Sequence, residues 1–146
     1  MPVDTKAAGK TYEPKTYAVG REKIREYAGA VGETNPVHLD VDAARAAGHA
    51  DVVAPPMFAV VYSAPAMAPA VLDPEIGINL AMMVHGGQEF VWGPPVVAGD
   101  EITTVASVKD ISERDGMGFY VFETVSTNQD GDTVATGTWT NIVRGV

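Results

Sequence analysis

Glu33 and His38 stand five positions apart on either side of an Asn-Pro pair, in the run Gly32-Glu33-Thr34-Asn35-Pro36-Val37-His38. A carboxylate and an imidazole at that spacing suit acid/base chemistry on one bound molecule, because each can pass a proton to or from it. Pro36 fixes its own φ near −65° and biases Asn35 towards extended geometry, so both titratable groups sit on a loop of restricted shape. Read locally, the run is also a helix stop and turn with His38 a surface or satisfied histidine. The rest of the chain has to decide between the two.

The elements around the loop follow from periodicity. Residues 15–19 predict a strand, and residues 21–31 predict a helix with Ile24, Tyr27, Ala28 and Val31 on one side. Residues 39–48 have acids near the start and Gly48 at the end, the polarity of a short capped helix. Residues 56–67 carry Phe58, Val60, Val61, Tyr62 and Met67, apolar on nearly all sides. That pattern predicts a helix enclosed by a sheet, which Pro65 should bend or end. Beyond Gly77 the pattern turns to strands over 80–92, 101–112, 118–128 and 133–143, with a bulge at Gly86-Gly87. Turns fall at Gly99-Asp100, at Arg114-Asp115-Gly116 and at Gln129-Asp130-Gly131-Asp132. The order predicts an α+β protein whose four later strands form an antiparallel meander.

At 146 residues with 46% hydrophobic residues, the chain suits a single domain over residues 1–146. The net charge of −9, with no cluster of Lys and Arg, argues against nucleic acid and against an anionic membrane surface. No stretch is long and apolar enough to span a bilayer, and the segment from Met1 to Lys6 has no apolar run behind its lysine. The absence of cysteine excludes disulfides and thiolate chemistry and fits a reducing cytoplasm. His38, His49 and His85 form no ligand motif, so no metal is expected. His85 reads as a structural or cleft-lining residue. Gly86-Gly87 and Gly116-Met117-Gly118 lack the strand-to-helix context of a phosphate loop.

Tyr27, Gly32, Asn35, Pro36 and His38 together resemble the signature of the MaoC-like (R)-specific enoyl thioester hydratases and dehydratases, with Glu33 standing where that family has aspartate. The segments 84–90 and 95–102 look like the stand-alone dehydratase subunits of actinobacterial fatty-acid and mycolic-acid systems, and the likeness runs from about residue 9 to residue 143. The resemblance implies a hot-dog fold, in which an antiparallel sheet wraps a central apolar helix. It implies reversible hydration of an acyl thioester carried on CoA or acyl carrier protein, without a cofactor. Glu33 and His38 would be catalytic, and Asn35 would set the loop and ligand geometry. The turn Pro56-Met57-Phe58 would bind substrate, with the Met57 N–H on the thioester carbonyl. Met57, Met67, Met82 and Met83 would fill the core and line an acyl tunnel. Arg21, Lys23, Arg25 and Arg45 are the cations available to an anionic carrier. The likeness also implies a dimer, either with a second copy or with a related hot-dog subunit. In that last case the chain could instead be the non-catalytic, substrate-binding half of a heterodimeric dehydratase.

Overall fold

The structure, a computed structural model, describes residues 3–146; Met1 and Pro2, the start of the N-terminal segment, lie outside it. In chain order it contains β1 (Lys15–Ala18), α1 (Arg21–Ala30), α2 (Val41–Ala46), α3 (Ala59–Val71), β2 (Met83–Trp92), β3 (Glu101–Arg114), β4 (Met117–Thr127) and β5 (Thr133–Arg144). The strands form one antiparallel sheet in the order β1-β3-β4-β5-β2. Along β3 and β4 buried and partly exposed residues alternate, so each strand presents one face to the core.

The central helix α3 lies across that face, packed on β1, β3 and β4. Its buried side carries the small residues Ala59, Ser63, Ala66 and Ala70, which lets the helix approach the sheet closely. Opposite it the sheet offers small or polar residues that are satisfied internally. Thr104 and Ser126 hydroxyls pair at 2.7 Å, and Trp139 Nε1 donates to Thr124 Oγ1 at 2.8 Å. Bulkier residues fill the two ends of the core, Phe58, Ile24 and Ile102 at one and Met67, Phe122 and Trp139 at the other.

Three expectations change. Pro65 does not end the helix, which runs on to Val71 with Pro69 also inside it. Both prolines lie on the exposed side with Ala64 and Ala68. The carbonyls they deprive of donors, those of Val61 and Pro65, therefore lie towards water rather than in the core. For the same reason α3 is not enclosed on all sides. Finally, the meander holds only for β3, β4 and β5. β2 crosses to the far edge and pairs with β5, its register shifting at the Gly86 bulge. Gly93, just past β2, is pressed against Thr133 and Val134 so closely that a Cβ there would overlap the Thr133 carbonyl. Pro94 and Pro95 then carry the chain away from the sheet, so β2 and β3 cannot close a hairpin. Among the described residues no helix is long and apolar enough to cross a membrane.

Candidate active site

The Glu33–His38 loop begins as a helix ending. Gly32, at φ 74°, reverses the chain after α1; its N–H donates to Gly29 O, and the Glu33 N–H donates to Ala28 O. This paired closure of the last helical carbonyls needs a left-handed residue, which glycine supplies without strain. Asn35 then caps a single 3₁₀ turn over Pro36–His38, its Oδ1 accepting from the Val37 N–H at 3.2 Å. The turn delivers the His38 ring inward, where the residue is 8% exposed.

The histidine tautomer follows from its partner. Nδ1 lies 2.6 Å from Val53 O, and a carbonyl only accepts, so Nδ1 carries the proton and Nε2 keeps its lone pair in the neutral ring. Val53 in turn donates its N–H to Val37 O, which ties the loop to the segment before α3 in both directions. On the carboxylate side, Glu33 Oε1 accepts from the Thr34 and Asn35 N–H groups at 3.1 and 3.2 Å. That hold leaves Oε2 3.9 Å from His38 Nε2. The separation exceeds a direct hydrogen bond, so a proton passing between the two groups needs a water or substrate atom as intermediary.

A cavity of about 340 Å³ opens beside His38, its wall including Asn35, His38, Pro56, Tyr62, Trp92 and Val134. It lies at the small end of ligand pockets, and apolar groups dominate its lining. The Trp92 ring stacks on Phe90 with centroids 4.9 Å apart, which fixes that part of the wall. Glu33, Met57 and Phe58 are not on the wall. Phe58 is fully buried, with Tyr17, Tyr27 and Tyr62 ranged edge-on around it at 6.3, 5.5 and 6.2 Å. Its side chain is core, and Tyr27 packs on it rather than entering the cavity. Met57 is exposed, but its backbone N–H makes no hydrogen bond among the described residues and stands at the start of the turn leading into α3. An orphan N–H there is suited to a partial negative charge.

Other expected site residues lie elsewhere. Met67 and Met83 pack in the core while Met82 is exposed, so no methionine lines the cavity. His85 sits on the edge strand, where its Nε2 is 2.9 Å from Gly87 O across the bulge. Of the four candidate cations, Arg21 grips Asp51 through two hydrogen bonds of 3.0 and 2.7 Å, Lys23 pairs with Glu26, and Arg25 pairs with Glu22. Arg45 has no salt bridge among the described residues. The Arg21 guanidinium holds the Asp51 carboxyl down at about 2. Among the described residues no group of three or more His, Asp or Glu side chains gathers to hold a metal.

Two features of the site were not singled out from sequence. The Val53 carbonyl left no sequence signal, since any residue supplies a carbonyl and only tertiary pairing brings this one to His38. Tyr62 did leave one, as a polar-tipped aromatic inside a mostly apolar helix.

An antiparallel sheet wrapped on one helix, with an Asn-Pro-x-His turn at the mouth of an apolar cavity, defines a MaoC-like hot-dog protein of the dehydratase class. Residues 6–137 match the family described as the FAS1-like dehydratase domain region, and the chain belongs to that family. It is 44% identical over 146 residues to a UPF0336 protein of Saccharopolyspora erythraea, across 99% of this chain and 94% of that one. Among solved structures it is similar to the HadBC (3R-hydroxyacyl-ACP dehydratase) complex of Mycobacterium tuberculosis, with a TM-score of 0.82 and 28% identity over 94% of this chain and 98% of that one. A MaoC-like dehydratase superposes with a TM-score of 0.87 and 28% identity, over 97% of this chain but 43% of its own, so that protein is more than twice as long.

Proposed function

We propose that this chain is a subunit of a hydro-lyase that interconverts trans-2-enoyl and (R)-3-hydroxyacyl thioesters, carried on CoA or acyl carrier protein, in fatty-acid-type metabolism in the cytoplasm. The observation that carries the reading is His38: buried at the cavity, its tautomer set by Val53 O, its Nε2 turned towards the Glu33 carboxylate. In the hydration direction water loses a proton as its oxygen bonds to Cβ, and Cα gains one, while negative charge collects on the thioester oxygen. Glu33 and His38 share the two proton transfers. The Met57 N–H supports the oxygen at the start of α3. Asn35 keeps the turn in shape and presents its side chain to the ligand at the cavity wall.

The edge strand β2 exposes Val84, Val91 and Trp92 together with its unpaired backbone side. An open apolar edge invites another strand. A related hot-dog subunit, or a second copy, completes the sheet there, a reading supported by the likeness to the HadBC complex. One observation favours the alternative of a non-catalytic, substrate-binding subunit: Glu33 lies off the cavity wall with one oxygen held by two backbone amides.

The deciding experiment purifies the chain alone and with a co-expressed unlike subunit, and follows the loss of conjugated enoyl absorbance from a short trans-2-enoyl-CoA. The first reading expects turnover, lowered about 10²–10⁴-fold by His38→Ala. Turnover that is indifferent to His38→Ala, and that depends on a partner with its own Asp and His, establishes the second.

A further inference from the structure

Tyr62 is 3% exposed and forms part of the cavity wall alongside His38 and Pro56. Its hydroxyl makes no hydrogen bond to a described residue. Even so, it is not a sealed orphan of the kind that Gln88 Oε1 is. The hydroxyl therefore keeps some exposure, and Tyr62 borders the cavity. Burial pushes the phenol up to about 12, so it stays protonated at neutral pH and acts as a neutral donor rather than a base. A phenylalanine would pack the same volume without a polar tip needing a partner.

Direction matters as much as burial. Long side chains on a helix lean back over the preceding turn, towards its N-terminus. Tyr62 does so: its ring meets Phe58, one turn earlier, with centroids 6.2 Å apart at 63°. The hydroxyl is thereby carried towards the start of α3, where the Met57 N–H is also unpartnered. Tyr62 lines the cavity and the Met57 N–H stands at the same end of α3, just off the wall, and two donors so placed suit an oxygen gaining negative charge.

We propose that the Tyr62 hydroxyl donates a hydrogen bond to the carbonyl oxygen of the bound acyl thioester, as a second donor beside the Met57 N–H. This rests on the thioester reading above, but it concerns binding and holds for either role of the subunit. The test compares butyryl-CoA with S-butyl-CoA, its carbonyl-free thioether, by calorimetric titration of the full chain with its partner subunit. Wild type should bind the thioester more tightly. Tyr62→Phe should weaken the thioester about fivefold or more while leaving the thioether within twofold, since only the thioester carries the acceptor. Equal weakening of both ligands, or of neither, overturns the proposal, and so does wild-type protein that binds neither. Turnover of an enoyl-CoA is measured separately: the expected coupling without turnover supports Tyr62 and removes the hydratase reading alone.

Discussion

The site depends on a few local bonds that place two side chains. Glu33 is held by two amides, His38 by one carbonyl, and the turn carrying His38 by the Asn35 cap. The cap is the most exposed of these and the easiest to remove without touching a titratable group. Asn35→Ala should cost about 0.5–2 kcal/mol of stability, read from the denaturant midpoint. It should lower kcat/KM by more than that loss explains, because His38 no longer sits on a fixed turn. An activity loss no larger than the loss of folded protein would show that Asn35 is structural alone.

At the scale of elements, what was legible in sequence was what has a period or a punctuation mark. Strands β3, β4 and β5 alternate, and the Asp115-Gly116 turn takes positive φ at both residues, 53° and 75°, as an Asp-Gly hairpin predicts. Gly86 gave its bulge away. The partner of β2 was not legible, since no pattern within β2 chooses between β3 and β5, and the close packing of Gly93 on Thr133 that accompanies the β5 pairing is a tertiary contact. The length of α3 was misread for a similar reason: a proline breaks a buried helix but is tolerated where its orphaned carbonyl meets water. Within the sheet, Gly137 makes room for the aromatic group behind Trp92. A Cβ there would lie 2.8 Å from both Phe90 Cε1 and Trp139 Nε1, and 2.6 Å from Thr124 Oγ1. Gly137→Ala should therefore cost about 1–3 kcal/mol by overpacking, seen as a lower midpoint with an unchanged m-value. A neutral or stabilising result would mean that this aromatic group is loose.

Over the whole molecule, two aspartates pin distant parts of the chain. Asp51 ties the region before α3 to Arg21 on α1, and Asp73, just past α3, accepts from Lys10 and Tyr12 at 2.6 Å each. The Lys10 ammonium and the Tyr12 hydroxyl hold Asp73 at about 2, as Arg21 holds Asp51. Both values lie below the ordinary aspartate value near 4, so these links stabilise the fold above about pH 4 and are lost as pH falls towards 2. Thermal melts should show the midpoint dropping across that window. The double variant Asp51→Asn, Asp73→Asn should melt lower at neutral pH and fall less steeply; an equally steep fall would place the acid sensitivity elsewhere. The proposed hydration rests on Glu33 and His38 working as a pair, which is tested most directly by kcat/KM on a short enoyl-CoA for wild type, Glu33→Gln, His38→Ala and the double variant in the assembled protein. A working pair predicts a loss of at least about a hundredfold in each single variant, with the double variant little worse than either. Full activity in His38→Ala, with the fold and the assembly intact, would contradict it.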